Sequence, residues 1–137
     1  MNTKRILCVE DDEDSCEMLN VLLSLADDSY SVTGVHDAER AMELIAIESF
    51  DLYVVDIWLP KIDGLELSRW IRRTGSVKPI VFFTAIAKDS DRANAMNAGA
   101  DAFLIKPNDL DRLVPTVERL LTESRMSAAN TQQTTTA

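Results

Sequence analysis

The 137-residue sequence lacks any long apolar run, and it contains only two cysteines and one histidine. No apolar stretch reaches the roughly 18 residues of a membrane-spanning helix, so no membrane span is expected and the protein is predicted to be cytoplasmic. Cys8 and Cys16 are spaced neither like a redox pair nor like a zinc-binding cluster, and both are predicted to be reduced core thiols. His36 has no nucleophile or base beside it and is predicted to be a surface residue.

Positive charge is scarce, and glycine-rich loops are missing. Fourteen Lys and Arg residues face 23 Asp and Glu residues, for a formal net charge of -9. This charge would repel the phosphates of a nucleic acid, so direct nucleic-acid binding is not expected and a protein partner or a cation is the better hypothesis. No glycine-rich loop that could hold the phosphate of a flavin is present.

The sequence instead alternates short β-branched runs with longer amphipathic segments, five times between Lys4 and Ser124. This alternation predicts an α/β protein of (βα)5 type with a parallel sheet. Four of the runs are almost entirely apolar, as strands covered on both faces should be, whereas the second alternates and is placed at a sheet edge. The predicted strands are 5–9, 30–35, 52–55, 80–83 and 102–105.

Individual residues predict where the helices and the domain begin and end. Asp37 and Asp109 stand where helix N-caps are expected, and Gly99 stands where a helix end requires a left-handed residue. Pro115 lies inside the last apolar stripe and is expected to kink that helix or delay its start. One domain is predicted over residues 1–124, followed by a disordered polar tail over residues 125–137.

Charged and hydroxyl groups follow four of the predicted strands. They are Glu10, Asp11 and Asp12 after the first strand, Asp56 after the third, Thr84 after the fourth and Lys106 after the fifth. The carboxyl ends of parallel strands meet at one sheet edge, where ligand sites form. Carboxylates brought together there need a cation, and oxygen ligands favour a hard ion such as Mg2+. Such a pocket suits a phosphoryl group, with Asp56 as the attacking nucleophile.

Each of these residues also has an ordinary structural explanation. Asp11 and Asp12 could cap a helix in solvent, Thr84 could be a turn residue, and Lys106 could be a solvated loop lysine. The functional interpretation is stronger because the structural one requires four separate coincidences at one sheet edge.

These blocks resemble the signature of bacterial two-component response-regulator receiver domains, over a stretch from about Lys4 to about Thr122. The blocks are Glu10-Asp11-Asp12, Asp56 with Leu59-Pro60-Lys61-Ile62-Asp63-Gly64, Thr84-Ala85 and Lys106-Pro107. The resemblance implies a CheY-like, flavodoxin-like three-layer fold with strand order 2-1-3-4-5.

The resemblance also implies a role for each matching residue. Asp56 would be the phosphoacceptor, and the Lys106-Pro107 bond would be cis. The Mg2+ ligands, which could also hold Mn2+, would be Asp11, Asp12, Asp56 and the backbone carbonyl of Trp58. The phosphoryl contacts and the conformational switch would be Thr84, Lys106 and Phe103.

The sequence departs from the receiver pattern at several positions. Leu59 replaces a usual Met with little expected effect, and Asn108 follows Pro107 where an aromatic residue is common. Trp58 and Ile86 are bulky apolar residues that would border the phosphoryl group. We expect them to hinder the attacking water and slow self-dephosphorylation, although Trp58 could equally be a partly exposed side chain that packs on a loop.

The implied function is that of a stand-alone response regulator in a phosphorelay. It would accept a phosphoryl group from a sensor histidine kinase or a phosphotransfer protein, and would catalyse only its own phosphorylation and dephosphorylation. Output would pass to a protein partner through the face formed by the fourth helix, fifth strand and fifth helix, with monomer and homodimer both open.

Three rival interpretations remain at this point. A phosphatase with an aspartyl-phosphate intermediate would need an acid two residues after its nucleophile, where Trp58 stands. A degenerate receiver could act as a binding module without phosphorylation, although the complete set of acids, Thr84 and Lys106 argues against degeneracy. The natural chain could also be longer and carry a DNA-binding domain.

Overall fold

The computed structural model describes residues 2–85 and 87–136, with side chains through Ser124. Five strands alternate with five helices along the chain. The strands are β1 (Lys4–Val9), β2 (Tyr30–Val35), β3 (Leu52–Val55), β4 (Ile80–Thr84) and β5 (Ala102–Ile105). The helices are α1 (Glu13–Ala26), α2 (Ala38–Ile47), α3 (Gly64–Arg73), α4 (Asp89–Asn97) and α5 (Leu110–Thr136).

The strands form one parallel sheet in the order β2-β1-β3-β4-β5. The predicted fold class, strand order and edge position of β2 are therefore confirmed. Every residue of β3 and β4 is buried, because helices cover both faces of the central strands. One core layer packs α2, α3 and α4 against the sheet, and the other packs α1 and α5 against the opposite face.

The helix ends agree with the predicted signals in two cases and differ in one. The Asp37 side chain caps α2 by accepting from the Arg40 N–H at 2.7 Å, and Gly99 follows α4 at a φ of 101°. Asp109 does not use its carboxylate in this way, because Oδ2 accepts a hydrogen bond at 2.9 Å from the Ile105 N–H, behind the helix.

The last helix is longer than the sequence predicts. It begins at Leu110, ahead of Pro115, so the proline does not delay its start. The backbone is helical to Thr136, and the polar tail over residues 125–137 stays a prediction. Side chains 125–137 lie outside the described residues, and the domain boundary at residue 124 stays a prediction.

Two further expectations concern the cysteines and the membrane. Cys8 and Cys16 are buried free thiols, as predicted, and burial raises the pKa of both. Among residues 2–85 and 87–136, no helix is both long enough and apolar enough to cross a membrane.

Candidate functional site

Glu10 and Asp56 are neighbours because the strands that precede them are paired in register. Val9 of β1 lies opposite Val55 of β3, and the Asp56 N–H donates to the Val9 carbonyl at 3.0 Å. Each acid is therefore the first residue after its strand, at the carboxyl edge of the sheet. Their exposed fractions are only 3% for Glu10 and 7% for Asp56, so both carboxylates need partners within the protein.

Asp56 receives hydrogen bonds on both carboxylate oxygens. Its Oδ1 accepts from the Thr84 hydroxyl at 2.9 Å and from the Trp58 N–H at 3.1 Å. Its Oδ2 lies 3.4 Å from the Lys106 ammonium. The sequence-predicted hydroxyl and ammonium groups thus converge on the sequence-predicted nucleophile, from the ends of β4 and β5.

Lys106 makes its shortest contact with a residue to which the sequence analysis assigned no separate role. Its Nζ lies 2.6 Å from Glu10 Oε2, and it also lies 5.5 Å from the centre of the Phe83 ring. One ammonium therefore bridges two buried carboxylates. The arrangement leaves more negative than positive charge in the pocket, which favours an additional cation.

The pKa of Glu10 is raised in this pocket. That pKa is raised to about 7, with burial as the largest cause, and the hydrogen bond with Asp56 also raises it. The hydrogen bond with Lys106 lowers it and only partly offsets the other effects. Glu10 therefore holds a proton more readily than a glutamate in water does.

The acidic cluster consists of Glu10, Asp11 and Asp56, which can each place one carboxylate oxygen within 4.8 Å of the others. Asp12, expected from the sequence to be a metal ligand, is not part of this cluster. It is the N-cap of α1, and its Oδ2 accepts from the Ser15 N–H at 2.9 Å, which lowers its pKa. The cluster thus contains Glu10, to which the sequence gave no metal role, while the metal-ligand role of Asp12 stays a prediction.

The loop between β3 and α3 approaches Asp56 closely. A Cβ atom at Gly64 would collide with the Asp56 backbone carbonyl, so only glycine allows α3 to begin there. The Gly64 N–H also donates to the Ile57 carbonyl at 2.8 Å, and the Asp63 side chain caps α3. This packing fixes the backbone on which the Asp56 carboxylate stands.

Phe103, Pro107, Trp58 and Ile86 are the remaining residues that the sequence points to. Phe103 is buried in β5, with the Arg92 guanidinium over its ring. The Lys106-Pro107 bond is cis, the isomer that the resemblance implies. The Trp58 side chain is 47% exposed, and Ile86 lies outside the described residues.

Comparison with known proteins agrees with this arrangement. The profile of the response regulator receiver domain family matches residues 6–118, which is most of the chain. The chain belongs to this family. It is therefore homologous to the receivers of two-component systems, which receive a phosphoryl group from histidine kinases.

Particular relatives resemble this receiver over nearly its full length. The response regulator MprA of Mycobacterium ulcerans is 38% identical over 122 residues, which are 89% of this chain and 52% of MprA. The chain thus spans about half the length of this curated relative.

Two solved structures have the same fold. A CheY-like response regulator receiver domain protein from Methanospirillum hungatei has a TM-score of 0.84 at 28% identity, covering 91% of this chain and 98% of that one. The signal receiver domain of a histidine kinase from Syntrophus aciditrophicus has a TM-score of 0.78 at 28% identity, covering 88% and 92%.

Proposed function

We propose that Asp56 of this receiver accepts a phosphoryl group from a phosphohistidine on a sensor histidine kinase or a phosphotransfer protein. The observation that carries the proposal is the convergence of the Thr84 hydroxyl and the Lys106 ammonium on the Asp56 carboxylate. A nucleophilic carboxylate, a hydrogen-bond donor and a cation are the groups that phosphoryl transfer to an acid requires.

In the proposed step, one Asp56 carboxylate oxygen attacks the phosphorus atom in line. The bond between phosphorus and the imidazole nitrogen of the donor breaks, and its electron pair returns to that nitrogen. The Lys106 ammonium and the Thr84 hydroxyl, which now contact Asp56, then contact phosphoryl oxygens. No proton has to be removed from the nucleophile, because Asp56 reacts as a carboxylate.

A hard divalent cation fits the acidic cluster. Its donor set is made of oxygen atoms alone, and Lys106 does not balance the charges of Glu10, Asp11 and Asp56. Mg2+, or Mn2+ in its place, would be held by Asp11, Asp56 and the Trp58 backbone carbonyl, with Glu10 beside them. The cation would neutralise charge that builds up on the transferring phosphoryl group.

The position of the Thr84 hydroxyl, which bonds to Asp56 at 2.9 Å, supports a role in the receiver switch. Thr84 is fully buried and bonded to Asp56, and the Phe103 ring is inside the core. The proposed effect of phosphorylation is therefore to stabilise this arrangement relative to alternatives in which Thr84 and Phe103 lie further out. Phosphorylation shifts the population between these arrangements, and a partner recognises the change at the exposed surface of α4, β5 and α5.

The proposed partners follow from this role. The phosphodonor is a sensor histidine kinase or a histidine phosphotransfer protein, and the output partner is a protein that contacts α4, β5 and α5. Monomer and homodimer are both compatible with this output, because the same surface can bind a second receiver or another protein.

The test is phosphorylation by acetyl phosphate with Mg2+, followed by intact-mass measurement. We expect one added phosphoryl group in the wild type and none in Asp56→Asn. Trp58 fluorescence should change on the addition of Mg2+ and again on the addition of the phosphodonor, and the second change should be absent in the variant. An unchanged wild-type mass would refute the proposal.

A further inference from the structure

Helix α4 is held to the sheet by unusually few apolar contacts. Only two of its residues, Asp91 and Ala95, are buried, and Ala95 is the only apolar one. Met96, its largest apolar residue, is 47% exposed. Because apolar burial contributes little here, polar contacts at the two ends of the helix decide how firmly each end is attached.

The carboxyl-terminal end of α4 is attached to α3 by several hydrogen bonds. The buried Ser68 hydroxyl donates to the Ala98 carbonyl at 2.7 Å. The Arg72 guanidinium donates to the Gly99 carbonyl at 3.0 and 2.7 Å and also contacts Asp101 at 3.0 Å. These bonds involve backbone carbonyls, so this end is anchored independently of any side chain on α4.

The amino-terminal half of α4 has a different attachment. The Asp91 carboxylate accepts from the Lys88 N–H at 2.7 Å, but this bond only closes the first turn of the helix. Arg92 makes a contact toward the sheet, because its guanidinium carbon lies 5.1 Å from the centre of the Phe103 ring. A cation over an aromatic face at this distance is attractive, and more so because the ring is largely shielded from water.

We propose that Arg92 is a positioning residue that joins the amino-terminal half of α4 to the position of the Phe103 ring. The inference rests on the proposed function, in which Phe103 responds to phosphorylation of Asp56. When the ring is inside the core, Arg92 lies over it and the first half of α4 is held against β5. When the ring moves out, this contact is lost, and the helix remains attached through Ser68 and Arg72.

The contact itself is tested in protein without phosphoryl groups by hydrogen exchange of backbone amides. In Arg92→Gln, exchange in residues 87–94 should be about two- to fivefold faster than in wild type, the change expected for one partly exposed cation–π contact. Residues 95–101 should exchange at the wild-type rate. Arg92→Lys keeps a cation and should recover most of the protection, which a purely steric role would not predict.

The matched control is Arg69→Gln, because Arg69 is an exposed arginine on α3 that pairs with Glu66 and contacts no ring. This variant should leave exchange in residues 87–94 unchanged. Wild-type exchange rates in Arg92→Gln would overturn the proposal. Faster exchange over both halves of α4, or an equal effect in Arg69→Gln, would indicate general destabilisation and would overturn it as well.

The coupling to Asp56 is tested by the same measurement after phosphorylation with acetyl phosphate and Mg2+. In wild type, phosphorylation should slow exchange in residues 87–94. In Arg92→Gln the phosphoryl group should be incorporated to the same extent by intact mass, but the slowing should be absent. Equal slowing in both proteins would overturn the coupling.

The two proposals fail in different ways. If the wild type takes up no phosphoryl group, the proposed function fails and the coupling fails with it. The comparison in phosphoryl-free protein still decides whether Arg92 holds α4 through the ring. If the wild type is phosphorylated and Arg92→Gln behaves like it throughout, only the inference about Arg92 fails.

Discussion

Three consecutive acids at the end of β1 have three different environments. Glu10 is buried and paired with Lys106, Asp11 is exposed beside the pocket, and Asp12 caps α1. The difference arises because the chain changes from strand to helix within these residues, so each side chain leaves the backbone in a new direction. Chemically similar neighbours therefore contribute separately to charge, metal binding and helix stability.

Substituting Asp11 and Asp12 one at a time separates these contributions. Asp11→Asn should lower phosphorylation by acetyl phosphate at limiting Mg2+ by at least about tenfold, because it removes a charged ligand of the proposed cation. Asp12→Asn should leave phosphorylation near the wild-type rate, because asparagine also caps helices well. The rates are measured by intact mass over a series of Mg2+ concentrations, and the opposite order of effects would restore Asp12 as the ligand.

We expect the Trp58 side chain to affect the lifetime of the phosphorylated form. Its backbone N–H bonds to Asp56, so its side chain starts next to the proposed phosphoryl group. Trp58→Asn should speed self-dephosphorylation several-fold, because a small polar side chain leaves room for the attacking water and can hydrogen-bond to it. The loss of phosphoryl mass is followed after the donor is removed. Trp70→Phe, a change at the other tryptophan, should leave the decay unaltered.

The two thiols should be unreactive in the folded protein. Burial raises the pKa of Cys8 and Cys16, so at pH 8 the thiolate fraction of each is far below that of a free cysteine. Unfolding removes the burial that raises both pKa values, so alkylation should be much faster in denaturant. We expect no modification by iodoacetamide in native buffer and two modifications in denaturant, measured by mass. Rapid native alkylation of either residue would contradict this assignment.

The junction between strand β3 and helix α3 positions the Asp56 carboxylate. The fit at Gly64 leaves no room for a side chain, so the helix start and the Asp56 backbone move together. A rigid backbone on both sides of a nucleophile keeps it within reach of its partners on neighbouring strands. Gly64, which takes no part in the proposed phosphoryl transfer, can thus affect that reaction through packing.

Gly64→Ala should therefore impair both stability and phosphorylation. The added methyl group must displace the Asp56 carbonyl, which should cost about 1–3 kcal/mol in the free energy of unfolding and lower the phosphorylation rate. Gly75→Ala is the control: Gly75 has a φ of 92° and nothing within 4 Å of an added Cβ. This control should lose stability without losing phosphorylation. An active Gly64→Ala protein would show that the junction tolerates movement.

The charges of the pocket affect the stability of the whole molecule. Several carboxylates lie close together at one edge of the sheet in the folded protein, where their like charges repel each other. A cation that binds only the folded chain stabilises it by mass action. Global stability is therefore a readout of the site, independent of phosphorylation.

Mg2+ should raise the Tm of the wild type. At a free concentration about 100 times Kd the stabilisation is roughly 2.7 kcal/mol, which corresponds to several degrees for a chain of this size. Thermal scans in Mg2+ and in KCl of matched ionic strength measure it. Asp11→Asn should show little of this increase, and an equal increase in that variant would place the cation elsewhere.

The sequence by itself determined the strands and most of the groups at the sheet edge, and its resemblance to receiver domains implied the strand order. Alternation of apolar and amphipathic segments is a local property, and it was enough to predict β1 to β5 and the convergence of Asp56, Thr84 and Lys106. Glu10 could also have been found this way, because it follows Val9 as Asp56 follows Val55 in the paired strands.

Only the tertiary structure decided which way individual side chains point where strands give way to helices. The Asp12 carboxylate bonds to the Ser15 N–H in α1, while the Asp109 carboxylate bonds back to the Ile105 N–H. The tertiary structure also places Arg92 over the Phe103 ring, and no periodicity in the sequence predicts that contact. These outcomes depend on competition among nearby donors and on packing between distant segments, and a one-dimensional pattern contains neither.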